Sequence, residues 1–164
     1  MEVESEWRTR YFVGMASADD KGGKPLDVRT KDRVRLPPGQ TETVKWPVLH
    51  FGTVPHVDVS RWSFRVFGEV ERPYEISWDE FTALPHADVL CDIHCVTHWS
   101  RYDNVFGGVP VTLLLERAGV RPEATHALVH AEQDFTTNLP LEDLVRDANV
   151  IATHHGGTPP KTLS

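Results

Sequence analysis

Cysteine is scarce in this 164-residue chain: there are two, Cys91 and Cys95, four positions apart. A disulfide between them would need a tight reversal within one short segment, so a disulfide framework is excluded and both read as reduced thiols. Basic runs are missing as well, and the formal net charge is −7, which argues against a nucleic-acid partner. No apolar run approaches the length of a bilayer crossing, so no membrane span is expected. The acidic start Met1-Glu2-Val3-Glu4 lacks the basic head and apolar stretch of a secretory signal, and the expected location is the cytoplasm. A dinucleotide-type glycine fingerprint, a phosphate-cradling loop and a haem-attachment pair are also absent, so any redox role calls for a separate electron-transfer partner.

With 40% apolar and 25% charged residues, the chain fits one globular domain that buries roughly two-thirds of its unfolded surface. From Ser17 to Gln40 it is rich in Gly, Pro and charge without a persistent period, so residues 1–40 read as an arm or linker and residues 41–164 as the domain. Trp62, Phe64, Val66 and Val70 predict one face of a strand, with a bulge at Gly68. Ser77-Trp78-Asp79-Glu80 has the form of a capping box and predicts a short helix before Pro85. Val89, Cys91, Ile93 and Cys95 alternate as a strand would. A helix is expected from about Pro110 to Arg117, stopped by Gly119, and another from Pro140. Ala127–His130 and Asn149–Thr153 are further strand candidates. The expected core is Phe64, Val66, Phe81, Leu84, Leu90, Ile93, Leu114, Leu128, Leu144 and Ile151.

Chemistry concentrates in Cys91-Asp92-Ile93-His94-Cys95-Val96-Thr97-His98-Trp99-Ser100-Arg101. Cys91, His94, Cys95 and His98 invite a zinc reading, but four side chains from two turns of one helix cannot surround a tetrahedral ion, and in a strand His94 points away from both cysteines. Cys91, between apolar neighbours, reads as a packed thiol. Cys95 lies at the strand's end, where nearby cations would favour its thiolate; metal ligand, nucleophile and inert thiol all stay open. A cysteine–histidine catalytic pair would need His50 or His155 brought up by the fold.

The run Cys91 to Thr97, followed by Trp99-Ser100-Arg101-Tyr102-Asp103-Asn104-Val105-Phe106-Gly107-Gly108-Val109, resembles the cysteine-loop signature of the molybdopterin-dependent oxidoreductases of the sulfite oxidase family, particularly small bacterial members. Leu36-Pro37-Pro38-Gly39-Gln40, Trp46-Pro47-Val48-Leu49-His50-Phe51-Gly52, Gly68-Glu69-Val70-Glu71-Arg72-Pro73 and Asp134-Phe135-Thr136-Thr137-Asn138-Leu139-Pro140-Leu141 extend the likeness in the family's order, from about Arg35 to Thr153.

The resemblance implies an α+β fold, with mixed sheets and short helices around a cofactor cleft, and a molybdenum–molybdopterin cofactor. Cys95 matches the cysteine whose thiolate binds molybdenum, a role that suits a soft ligand. His50, Phe51 and Gly52 would lie against the pterin, although a histidine satisfied by backbone fits His50 equally. Thr97, Ser100 and Arg101 would face the cofactor, and Thr136, Thr137 and Asn138 its polar edge, where they also suit an ordinary cap. Arg101 could bind a pterin phosphate or a substrate oxyanion; an arginine paired with Asp103 is the alternative. His98 is a further candidate at the substrate side. The implied activity is oxygen-atom transfer on a small sulfur- or nitrogen-containing substrate, and the single well-placed cation leans toward a neutral one. Family members continue beyond the point matching Thr153 with a further strand and a basic segment, so a shortened C-terminus is expected. A shortened, non-catalytic cofactor- or partner-binding module and a zinc-binding domain are the competing readings.

Overall fold

The computed structural model describes residues 24–29, 35–47, 56–146 and 148–157. Its centre is strand β6 (Trp99–Pro110), twelve residues long. One edge of β6 pairs antiparallel with β5 (Ala87–Cys95). The other edge is shared: β2 (Thr41–Glu42) runs parallel to its start, and β9 (Val150–His155) runs antiparallel to its end. β1 (Leu26–Asp27) adds in parallel to the outer edge of β5, giving five strands. Gly107 and Gly108 permit the β6–β9 approach, because a Cβ on Gly107 would run into the His154 ring and one on Gly108 into the Ile151 carbonyl.

Two antiparallel hairpins complete the strands: β3 (Ser63–Val66) with β4 (Tyr74–Ser77), and β7 (His126–His130) with β8 (Thr136–Pro140). Helix α1 (Trp78–Thr82) starts with the capping box read from sequence: the Glu80 amide donates to Ser77 Oγ, and the Ser77 amide donates to the Glu80 carboxylate at 2.8 Å. Helix α2 (Val111–Ala118) follows β6 directly and ends at Gly119, whose φ of 67° is the left-handed conformation a side chain resists. Helix α3 (Leu141–Leu144) is a single turn. The architecture is thus the expected α+β one.

The core lies where α1 and α2 meet the sheets. Ile76, Phe81, Val109 and Leu114 are buried together, ringed by Trp62, Phe64, Tyr74, Leu84, Leu113 and Ile151. Phe81 contacts Trp62 and Phe64, with ring centroids 5.4 and 5.2 Å away. Among the described residues no helix is long and apolar enough to cross a membrane.

Four expectations change. Leu128 is 58% exposed, because it stands on the two-stranded β7–β8 hairpin, apart from the five-stranded sheet and too small to bury both of its faces. Gly68 is no bulge: β3 ends at Val66, Gly68 turns the chain with φ 97°, and buried Val70 pairs with Val120 in a separate bridge. The alternation along β5 is broken by a register shift between Cys91 and Ile93. Where it is described, the stretch read as an arm lies on the sheet. β1 pairs with β5, Arg29 bridges Asp27 and Asp103, and Arg35 bridges Asp92 and Asp103.

Phe81→Ala should destabilise the protein by about 3–5 kcal/mol in denaturant titrations, whereas Leu128→Ala should stay within about 0.5 kcal/mol. Equal effects would mean that the core is elsewhere. Arg35, then the Asp103 amide, lower the Asp92 pKa, and Arg35 and Arg29 lower that of Asp103. The resulting stabilisation is therefore present above the ordinary carboxylate range near 4 and is lost as pH falls through the depressed folded values. Amide exchange at Leu26–Arg29 should accelerate on acidification through that window, relative to that of β9.

Candidate functional site

The site grows from the turn between β5 and β6. Three residues, Val96-Thr97-His98, separate the cross-strand partners Cys95 and Trp99. The His98 amide donates to the Cys95 carbonyl at 3.1 Å and His98 has φ 67°, the form of a three-residue hairpin loop closed by a left-handed residue. His98 therefore serves the backbone path. Its side chain is exposed.

The chain before β2 holds this turn from one side. Gln40 Nε2 donates to the Cys95 carbonyl at 2.9 Å, and Gln40 Oε1 accepts from Ser100 Oγ at 3.0 Å. Ser100 is fully buried, and its oxygen lies 2.8 Å from His94 Nδ1. Its hydroxyl proton is committed to Gln40, so His94 Nδ1 carries the proton and donates. The Thr41 and Thr43 amides, each at 2.9 Å, donate to the carbonyls of His98 and Ser100. Ser100, expected on the cofactor side, instead braces the turn from within the protein.

Cross-strand partners share a face of a sheet. His94 and Ser100 occupy one face, while Cys95 and Trp99 share the other with Arg101, two residues along β6. The two cysteines are treated oppositely. Cys95 Sγ lies 3.1 Å from Thr97 Oγ1, and this hydroxyl, with the backbone amides of Thr97 and Val96, holds its pKa below the ordinary thiol value. The cause is local hydrogen bonding rather than the nearby cations expected from the sequence. Cys91 is pushed up, first by burial and then by neighbouring Asp92. Beside Cys95, the indole Nε1 of Trp99 is buried without a hydrogen-bond partner among the described residues, a donor in need of an acceptor.

Arg101 is half-buried and does not pair with Asp103, which is taken by Arg29 and Arg35. Its Nη1 donates to Asn104 Oδ1 and lies 3.3 Å from His155 Nε2. Trp46 covers the guanidinium at 4.7 Å and touches the rings of Trp99, Phe106 and His155. Burial, and then Arg101 itself, lower the His155 pKa, which keeps the ring neutral and able to accept. No carboxylate lies within ion-pair distance of Arg101 among the described residues.

The fold therefore brings together Cys95, Thr97 and Arg101, with His98 at the rim. Thr136, Thr137 and Asn138 are exposed on β8, in a different sheet from Cys95. His50, Phe51 and Gly52 lie outside the described residues. The zinc reading has no structural counterpart: Cys91 and Cys95 are on an extended strand, and no group of three His, Cys, Asp or Glu side chains able to hold a metal exists among the described residues. Gln40, Trp46 and Asn104 join the site without having been singled out in the sequence; His155, considered there only as a base for Cys95, contacts Arg101 instead.

Residues 51–161 match the family described as oxidoreductase molybdopterin binding domain, and the chain belongs to that family. The chain is 44% identical over 126 residues to a Bacillus subtilis (strain 168) protein described as the uncharacterized oxidoreductase YuiH. That alignment covers 76% of this chain and 64% of the relative, so the chain spans less than two-thirds of the relative's length. The crystal structure of the sulfane dehydrogenase SoxCD from Paracoccus pantotrophus shares the fold, with a TM-score of 0.57 at 18% identity over 65% of this chain and 32% of that one.

Alkylation of cofactor-free protein by iodoacetamide, followed site by site by mass spectrometry, should label Cys95 ahead of Cys91, with the Cys95 rate reaching its plateau at lower pH. Thr97→Val should move that plateau upward. Equal rates at both cysteines, with no effect of Thr97→Val, would remove the basis for an activated Cys95.

Proposed function

We propose that this chain holds a molybdenum–molybdopterin cofactor through the Cys95 thiolate and catalyses oxygen-atom transfer on a small sulfur- or nitrogen-containing substrate. The observation that carries the reading is the divergent treatment of two otherwise equivalent thiols. Hydrogen bonds at the turn lower the Cys95 pKa, whereas burial and Asp92 raise that of Cys91.

The residues present fit the group. A thiolate is the soft ligand that such a metal takes, and among the described residues the Trp99 N–H, without a partner, offers a donor on the same face and Arg101 adds a cation without a compensating carboxylate. When bound, the cofactor supplies the two-electron chemistry of oxygen-atom transfer. The protein does the rest. Thr97 and the turn amides favour the Cys95 thiolate, and Gln40 and Ser100 fix the turn that presents it. Arg101 Nη2, which has no hydrogen-bond partner among the described residues, is the donor for an oxygen of the ligand. One guanidinium suits a neutral sulfoxide- or N-oxide-type oxygen or a singly charged oxyanion better than a dianion that needs several cations.

The family resemblance adds His50, Phe51 and Gly52 as pterin contacts, Thr136, Thr137 and Asn138 as donors to its polar edge, and His98 as a substrate-side residue. Electrons pass to or from a separate electron-transfer partner, and the cytoplasm is the proposed location.

Protein produced in a molybdopterin-competent host should carry about one molybdenum per chain together with a sulfur-to-metal absorption band. Both should disappear in Cys95→Ala and persist in Cys91→Ala. Arg101→Gln should keep the metal and lower kcat/KM roughly 10- to 100-fold, the loss expected for hydrogen bonds to a charged group. Metal content indifferent to Cys95→Ala, or zinc lost with either cysteine, would overturn the assignment.

A further inference from the structure

We infer that His155 is a positioning residue that aims the Arg101 guanidinium at a bound oxyanion or anionic oxygen, an inference that rests on the reading of Arg101 given above. A guanidinium can only donate, so at 3.3 Å from Arg101 Nη1 the His155 Nε2 must be the acceptor, with its proton on Nδ1. Asn104 Oδ1 accepts from the same nitrogen, and the Val44 carbonyl lies 3.4 Å from Nε. These contacts engage Nε and Nη1 and leave Nη2 for a ligand. Trp46 closes one face of the guanidinium.

The ring of His155 has little freedom to leave. It is the cross-strand partner of Phe106, with ring centroids 4.8 Å apart, and Trp46 stands edge-on at 5.3 Å. His155 is therefore a neutral acceptor locked in place by two aromatic neighbours.

Neutrality is the point of the arrangement. Arg29 and Arg35 are each held by two carboxylates, which cancel their charge. Arg101 is held by an amide, a carbonyl and an imidazole, which orient it and leave its charge uncancelled. A carboxylate at position 155 would orient the guanidinium equally well and remove its attraction for anions. The ligand chemistry is an oxygen bearing full or partial negative charge, supplied either by substrate or by the phosphate of the cofactor.

The test measures sulfate binding to the full chain, read by tryptophan fluorescence because Trp46 lies on the guanidinium. His155→Gln keeps an acceptor and loses the ring, while His155→Phe keeps a ring and loses the acceptor. The inference expects His155→Gln to bind sulfate within about twofold of wild type and His155→Phe to bind roughly tenfold more weakly, the loss of one hydrogen bond to a charged group. A purely packing role for His155 predicts the reverse order, and that order, or equal binding by both variants, would overturn the inference. Arg101→Gln separates this from the underlying reading. If it binds sulfate as wild type does, Arg101 is no anion seat and both fall; if it loses binding while His155→Phe does not, only the role of His155 falls. Repeating the titration on cofactor-loaded protein distinguishes the two sources. Binding that survives loading assigns the seat to substrate, and binding displaced by loading assigns it to the cofactor phosphate, each in support of the seat.

Discussion

The closure of the β5–β6 turn is the constraint on which the site depends. One backbone hydrogen bond from His98 to Cys95 fixes where β5 stops, and the stop sets the register of the hairpin as far as Ile93 and Arg101, where it shifts. A slip of one residue in β5 would exchange its two faces, placing Cys95 on the face of Ser100 and turning His94 toward the site. Gln40 guards against that slip. Its amide reaches the Cys95 carbonyl with one end and the Ser100 hydroxyl with the other, tying both strands together just behind the turn. The activation of Cys95 is a by-product of the same turn, since the amides of Val96 and Thr97 that face its sulfur have no strand partner to bond.

Much of the local structure was legible because its causes are local. The capping box at Ser77 and the glycine stop of α2 are set within a few residues, and both stand where they were read. The strand ending at Cys95 was legible from its alternation, and with it the separation of His94 from the cysteine. The family resemblance rested on these same residues, chiefly the segment from Cys91 to Val109.

What stayed hidden depends on partners distant in the chain. β1 and β2 are two residues long, too short for any period, and they exist because β5 and β6 offer free edges and because Arg29 and Arg35 find Asp92 and Asp103 more than fifty residues away. Leu128 misled for a related reason: alternation tells which way a side chain points along a strand, and it is silent on whether a second layer lies there. The expected pairing of Arg101 with Asp103 failed by competition. Asp103 takes a left-handed backbone, φ 56°, at the irregular part of β6 and faces the two arginines of the N-terminal segment, so Arg101 is left to Asn104.

That competition has a chemical consequence. Had Asp103 bound Arg101, the face beside Cys95 would carry a neutral ion pair and a thiolate, a poor surface for any anionic or oxygen-bearing ligand. By recruiting Asp103 and Asp92 into the clasp that holds the N-terminal segment to the sheet, the fold removes the carboxylates that would otherwise neutralise Arg101. A half-buried cation with no counter-charge among the described residues is destabilising in itself, and the cation–π contact with Trp46 and the neutral acceptors of Asn104 and His155 offset part of that cost while leaving the charge uncancelled. The acidic residues that stabilise one end of the sheet and the uncompensated cation at the site are thus two results of a single partition of charge.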